Sequence, residues 1–110
     1  MSEIVDVVVD DREPGRYAEL FRAAGAAHVT VERLKVGDFV VNRRWVFERK
    51  TIGDLCVSLV DVRLFRQAIR MLKAPGWPVI VLEGGSKEAE ACHVSREAIQ
   101  GALIMLSVFL

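Results

Sequence analysis

The chain's 110 residues carry 15 Lys plus Arg against 15 Asp plus Glu, so the formal charge is zero, with 52% of positions apolar and 27% charged. That composition excludes disorder, collagen-like repeats and coiled coils, and lets one packed core form without metal or disulfide staples. Zero net charge gives no global attraction to a polyanion, so any nucleic-acid contact requires basic residues gathered on one side.

The segment Glu3 to Asp10 is β-branched and ends in acids, which predicts a central strand delivering Asp10 at its carboxyl end. Pro14 and Gly15 open a helix to about Ala24, with Tyr17, Leu20, Phe21 and Ala24 on one face. Val29, Val31 and Leu34 alternate with polar residues as in a half-buried strand. After a tight turn at Lys35 to Gly37, Phe39 to Val41 and Trp45 to Glu48 predict a hairpin with a loop of Asn42, Arg43 and Arg44. From Thr51 to Lys73 the period lengthens to about 3.6, with a break near Asp61. Beyond it Leu64, Phe65, Ala68, Ile69 and Leu72 form an apolar face. Val79 to Leu82 reads as a short buried strand, Gly84 to His93 as a polar loop, and Ser95 as the cap of a last helix through Ile99, Leu103, Leu106 and Phe109. That helix closes without a polar terminus, so either a partner covers it or the chain has been cut short.

The order βαβββαβα implies an α/β domain over 1–110, a mixed sheet flanked by helices. No apolar run approaches the roughly 18 residues of a membrane span, and the acidic start does not open like a secretory signal. An intracellular protein without membrane contact is expected. Cys56 and Cys92, with no CxxC or Cys/His spacing, read as two reduced, buried small residues.

The predicted hairpin places Val41 opposite Trp45, Val40 opposite Val46, Phe39 opposite Phe47 and Asp38 opposite Glu48. Opposed residues share a face. Lys50 then points with Glu48, and Arg49 to the other side. Asp38, Glu48 and Lys50 converge, and Asp10 is the best further carboxylate, although the sequence does not show that the strands adjoin. Gathered carboxylates repel unless protons, cations or a metal compensate, and carboxylate oxygens are the ligands of Mg²⁺ or Mn²⁺. With such a metal, Lys50 orients or deprotonates a water or stabilises the pentavalent phosphorus, and the reaction is phosphodiester hydrolysis. The bland alternative makes Glu48 and Lys50 an ion pair on a solvated strand and Asp38 a turn residue.

The joint pattern is more specific. Gly37-Asp38, Glu48-Arg49-Lys50 and, after three residues, Asp54 resemble the GD…ERKxxxD signature of the XPF-type (ERCC4-domain) structure-specific endonucleases, which include the archaeal Hef nuclease domain. Val9-Asp10-Asp11-Arg12-Glu13 is similar to that family's VDxRE opening. Ser58-Leu59, Asp61, Arg63-Leu64 and Gln67 resemble its SLxDGRLxxQ segment, and Pro78 to Glu83 its PVxxIE strand. The resemblance implies a restriction-endonuclease-like fold, Mg²⁺- or Mn²⁺-dependent cleavage of branched or forked DNA in repair or recombination, and work as a homo- or heterodimer through this domain. It also implies that Asp38, Glu48 and Asp10 hold the metal, with Glu13 lining the same side, that Lys50 serves the attacking water, and that Arg49 and Asp54 complete the catalytic set. Val62 departs from the family's usual Gly. The family's further strand and helix and its helix-hairpin-helix modules are not present. The alternative is a catalytically silent DNA-binding or dimerisation partner of the same fold.

Arg63, Arg66, Arg70 and Lys73 lie on one helical arc beside the apolar one, and with Arg12, Arg43, Arg44 and Gln67 they are the candidates for DNA contact; a plain solvated face is the alternative. Asp54 follows Thr51 as a helix-start residue does, so a capping role competes with a catalytic one. Gly84-Gly85 lacks a Walker lysine pattern, so no nucleotide cofactor is expected. His28 and His93 have no ligand spacing. Trp45 and Trp77 read as packing residues rather than base-stacking platforms.

Overall fold

A computed structural model describes residues 4–60 and 63–110. Glu3, at the expected start of the first strand, and Asp61 and Val62, at the expected helical break, lie outside the described residues, as does the side chain of Phe109.

The β-branched run Val5–Asp10 (β1) forms an inner strand of a five-stranded sheet. It pairs parallel with Ala27–Glu32 (β2) and antiparallel with Phe39–Val41 (β3). Trp45–Thr51 (β4) continues antiparallel to β3 and parallel to Trp77–Glu83 (β5), giving the order β2-β1-β3-β4-β5. The hairpin has the expected register, Phe39 against Phe47, Val40 against Val46 and Val41 against Trp45.

Alternation along the strands divides the core in two. Val7, Val9 and Phe39 pack with Ala18, Tyr17 and Phe21 of the helix Gly15–Ala23 (α1) on one face. The other face carries the helices Ile52–Val60 (α2), Arg63–Lys73 (α3) and Arg96–Phe109 (α5), whose buried cluster includes Leu55, Leu64, Ala68, Ile99 and Leu106. Ser95 caps α5 as expected, its hydroxyl accepting the Ala98 N–H at 3.1 Å.

Several expectations need correction. The polar stretch after Gly84 contains a short helix, Ser86–Ala91 (α4), started by the Glu88 carboxylate accepting the Gly85 N–H at 2.7 Å; six residues carry too little apolar periodicity to betray it. The order is therefore βαβββααβαα. β5 is an edge strand, which is why Pro78 is tolerated in it, and Val81 and Leu82 are exposed rather than buried. On α1 Leu20 is exposed, and on α3 the buried arc is Leu64, Ala68 and Met71, leaving Phe65, Ile69 and Leu72 at the surface. Cys56 and Cys92 are joined as a disulfide, with their Cα atoms 6.2 Å apart. The unforeseen α4 carries Cys92 back over α2, a proximity that a separation of 36 residues does not reveal. Trp45 and Trp77 are surface side chains, 39% and 62% exposed.

Candidate active site

The end of β3 and the middle of β4 form the site because Gly37 lets the chain enter β3 close against β4. Its φ is +86°, and a Cβ there would stand 2.6 Å from the Val46 side chain. The next residue, Asp38, donates its N–H to the Phe47 carbonyl at 2.7 Å, one step off the Phe39–Phe47 register, which holds it against β4. The Asp38 carboxylate in turn accepts the Arg49 backbone N–H at 2.7 Å. β1 adjoins at the same level, for the Asp10 N–H donates to the Asp38 carbonyl at 2.9 Å.

Asp10, Arg12, Glu13, Lys35, Asp38, Glu48 and Arg70 line one cavity of about 310 Å³ at this end of the sheet. Its wall is polar and carries both signs. Glu48 is half-buried, and burial pushes its carboxyl above the ordinary range, with the Asp38 charge adding to the effect; Arg70 and Lys50 oppose it. Glu13 is also raised, first by burial and then by Asp38, against the pull of Arg49. Proton affinity is thus elevated where the negative charges meet.

Asp10 behaves differently. It is 3% exposed, and its carboxylate accepts Arg12 Nε at 2.8 Å, Arg12 Nη2 at 3.1 Å and the Leu34 N–H at 2.9 Å. The Arg12 hydrogen bond lowers its pKa despite burial. Arg12 also reaches the Leu34 carbonyl at 2.8 Å, so the pair fixes the loop that carries Lys35 into the cavity.

Lys50 is 7% exposed and donates its ammonium to Gln67 Oε1 at 2.7 Å, which ties β4 to α3. Arg49 points to the opposite face, donating to Glu13 Oε2 at 3.1 Å and Glu83 Oε2 at 3.3 Å above the Tyr17 ring. Its charge is held firmly, for although burial disfavours it the two carboxylates outweigh that and raise its pKa. Asp54 lies in the first turn of α2, donating its N–H to Thr51 Oγ1 at 3.0 Å, and does not line the cavity. Of the basic arc, Arg70 reaches the cavity, while Arg63, Arg66 and Lys73 are exposed on α3 and Arg43 and Arg44 at the hairpin tip.

Sequence reasoning missed Lys35, Tyr17 and Glu83 as parts of this assembly. Glu83 had a usable signal, an acid closing an apolar strand parallel to β4; Lys35 and Tyr17 had none, because their positions depend on the Arg12 bond and on helix packing. A larger groove of about 670 Å³ lies between α2 and α4 beside the disulfide, but its lining is mostly apolar and lacks convergent carboxylates.

The family description "ERCC4 domain" matches residues 9–108. The chain belongs to this XPF-type nuclease family. A 3'-flap repair endonuclease Xpf of Saccharolobus solfataricus is 29% identical over 106 residues, 96% of this chain and 45% of that one. A Methanocaldococcus jannaschii protein bearing an ATP-dependent RNA helicase name is 32% identical over 102 residues, covering 93% of this chain and 12% of that one. XPF from Aeropyrum pernix superposes with a TM-score of 0.74 at 28% identity, over 94% of this chain and 48% of that one, and a second structure of it, in complex with DNA, superposes equally well. This ERCC4 domain therefore spans less than half the length of those two curated relatives. The mixed sheet flanked by helices is the XPF nuclease-domain fold. Among the described residues no helix is long and apolar enough to cross a membrane.

Proposed function

We propose that this ERCC4 domain is the cleaving domain of a divalent-metal-dependent endonuclease acting near branched or forked DNA. The observation that carries the reading is that Asp38 and Glu48 line, with Lys35 and Arg70, one cavity of about 310 Å³. The Xpf relative's name as a 3'-flap repair endonuclease and the DNA complex of the Aeropyrum protein support it.

The residues fit Mg²⁺ or Mn²⁺. Among the described residues no group of three His, Cys, Asp or Glu side chains could hold a metal ion by itself. Mg²⁺, however, commonly uses one or two carboxylates and completes its shell with water and substrate phosphate oxygens. Asp38 and Glu48 provide such a pair, and the Glu48 carboxyl, raised first by burial and then by the Asp38 charge, is one whose ionised form a cation would favour. Asp10 lines the same cavity and, with its oxygens already engaged, steadies Arg12 as well as adding negative charge. A bound divalent ion would supply an activated water and neutralise charge on the phosphodiester.

The protein's own groups do the rest. Lys50, steadied by Gln67, orients the attacking water and offsets charge as the new P–O bond forms and the opposite P–O bond breaks. Arg70 and Lys35 hold the scissile phosphate, and Arg12, Arg43, Arg44, Arg63, Arg66 and Lys73 position the flanking backbone. Pairing with a second ERCC4 domain belongs to the same reading, since Ile104 and Val108 leave an apolar stripe of α5 exposed. Cleavage of a labelled fork with Mn²⁺ tests the function: wild type cuts and Asp38→Asn does not, whereas equal behaviour of the two would remove the catalytic assignment and leave the silent partner.

A further inference from the structure

At the end of the sheet away from Asp54, the two tryptophans of the chain stand side by side. Trp45 and Trp77 are register partners on β4 and β5, with ring centroids 6.2 Å apart and planes tilted by 35°. Both are exposed, Trp77 the more so. Their pairing is built by the backbone around them. The Trp77 N–H donates to the Arg44 carbonyl at 2.7 Å. Gly76 makes this approach possible, because its φ is +108° and a Cβ would come within 2.5 Å of that carbonyl oxygen.

Exposed cations flank the indoles along the chain. Arg43 and Arg44 precede Trp45 at the hairpin tip, both exposed, and Arg43 holds a left-handed backbone at φ 54°. Lys73 closes α3, four residues before Trp77. Asp6, the acid beside Arg43 in a small surface hollow, pairs with His28 at 3.5 Å. Large flat apolar faces bordered by arginines suit a ligand with exposed π-surfaces and a polyanionic backbone, which is a single-stranded nucleic acid; a purely apolar protein partner would gain nothing from the three cations.

The platform and the proposed cleavage cavity lie on opposite faces of the sheet, for Trp45 shares the alternation of Phe47 and Arg49 and not that of Glu48. Gln67 contacts Lys50, and Arg70, one turn further along α3, lines the cavity with Glu48. Lys73 continues that step one turn on, towards the strand ends. Trp45 lies three residues before Glu48, about 10 Å along β4 at strand rise.

We propose that Trp45 and Trp77 form a stacking platform for a single-stranded DNA arm, with Arg43, Arg44 and Lys73 contacting its phosphates. The choice of DNA rests on the endonuclease reading, but the platform is testable without cleavage. The only two indoles of the chain are the platform itself, so indole emission, excited selectively over that of Tyr17, reports on this site alone. In metal-free buffer a short oligothymidylate quenches that emission, and a duplex of equal length does not. By anisotropy of a labelled oligothymidylate, Trp77→Ala weakens binding about tenfold, Trp77→Phe retains most of it, and Arg43→Ala lowers the salt slope by about one. Wild-type affinity in Trp77→Ala, quenching by duplex and single strand alike, or emission that changes only with protein concentration, as when a second copy covers the indoles, would each overturn it. Fork cleavage by wild type without oligothymidylate quenching removes the platform and leaves the endonuclease standing; quenching without cleavage does the reverse.

Discussion

The Arg49 N–H donates to Asp38 Oδ2 at 2.7 Å, so the carboxylate proposed as a metal ligand is aimed by the backbone of the residue beside Glu48. An amide at position 38 keeps an oxygen acceptor for that bond while losing the charge. Asp38→Asn should therefore melt within a few degrees of wild type in metal-free buffer, yet lose fork cleavage by about a hundredfold or more. The Mg²⁺-induced rise in melting temperature, which arises because a ligand bound by the folded state alone stabilises it, should shrink with it. Calorimetry with and without metal, beside a gel assay, checks all three; an undiminished metal response would remove Asp38 as a ligand.

Glu48 gives a pH signature whose sign follows from its environment. Burial and Asp38 raise its folded pKa above the unfolded value, so the folded state binds the proton more tightly. The penalty is fully present at pH values above the raised folded pKa, declines as pH falls through it, and is gone below the unfolded pKa of about 4.3. Glu48→Gln should be more stable than wild type at pH 7, by about 1 kcal/mol as for other relieved functional sites, and that advantage should fade on acidification. The same proton competes with a divalent ion, so metal stabilisation of wild type should weaken at a higher pH than an ordinary carboxylate would impose. Thermal melts across acid to neutral pH measure both; a pH-independent gap would contradict the assignment.

The hairpin register was legible because strand alternation and loop length are local; Asp38 and Glu48 line one cavity, whereas Lys50, expected with them, does not line it and donates to Gln67. Asp10 was legible as a strand-end acid, but its neighbour was not, since the contact between β1 and β3 is set by topology. Still less accessible was what occupies its oxygens, because the Arg12 bond depends on a loop conformation. The tryptophans were misread for a related reason: aromatic residues in strands are usually core, and it is the position of β5 at the edge of the sheet that leaves these at the surface. The disulfide was hidden behind a six-residue helix.

That disulfide makes its own prediction. Cys56 lies in the core with Leu55 and Leu64, and Cys92 ends α4, so the bond anchors the α4 segment to α2. Cross-links of this kind restrict the unfolded chain and stabilise by about 2–4 kcal/mol. Denatured, unreduced protein should show no reactive thiol, and two after reduction. Reduction or Cys92→Ser should lower the melting temperature, while fork cleavage by the folded fraction persists because neither sulfur borders the cavity. Two reactive thiols in the unreduced protein would show that the bond does not form in solution.

Arg49 offers a test of how the far face of the sheet supports the near one. Its guanidinium is held by Glu13 and Glu83 and lies 4.8 Å from the Tyr17 ring centroid, so α1, the turn after β1, and β5 all meet on it. Glu83→Gln removes one of the two charges, and a partly exposed ion pair of this kind is worth only about 1 kcal/mol or less to stability. Its effect on the site should be larger. With Glu83 neutral, Arg49 is freer to leave Glu13, and Glu13, whose carboxyl burial and Asp38 already push upward, would lose the group that opposes them. Partners that orient a metal site from behind typically contribute 10–100-fold, so cleavage should fall by about tenfold with near-unchanged melting, and the pH at which activity is lost on acidification should move upward. Tyr17→Phe, which keeps the ring under the guanidinium, should leave the acid limb in place. An unshifted acid limb in Glu83→Gln would show that Arg49 holds the sheet together without tuning the carboxylates.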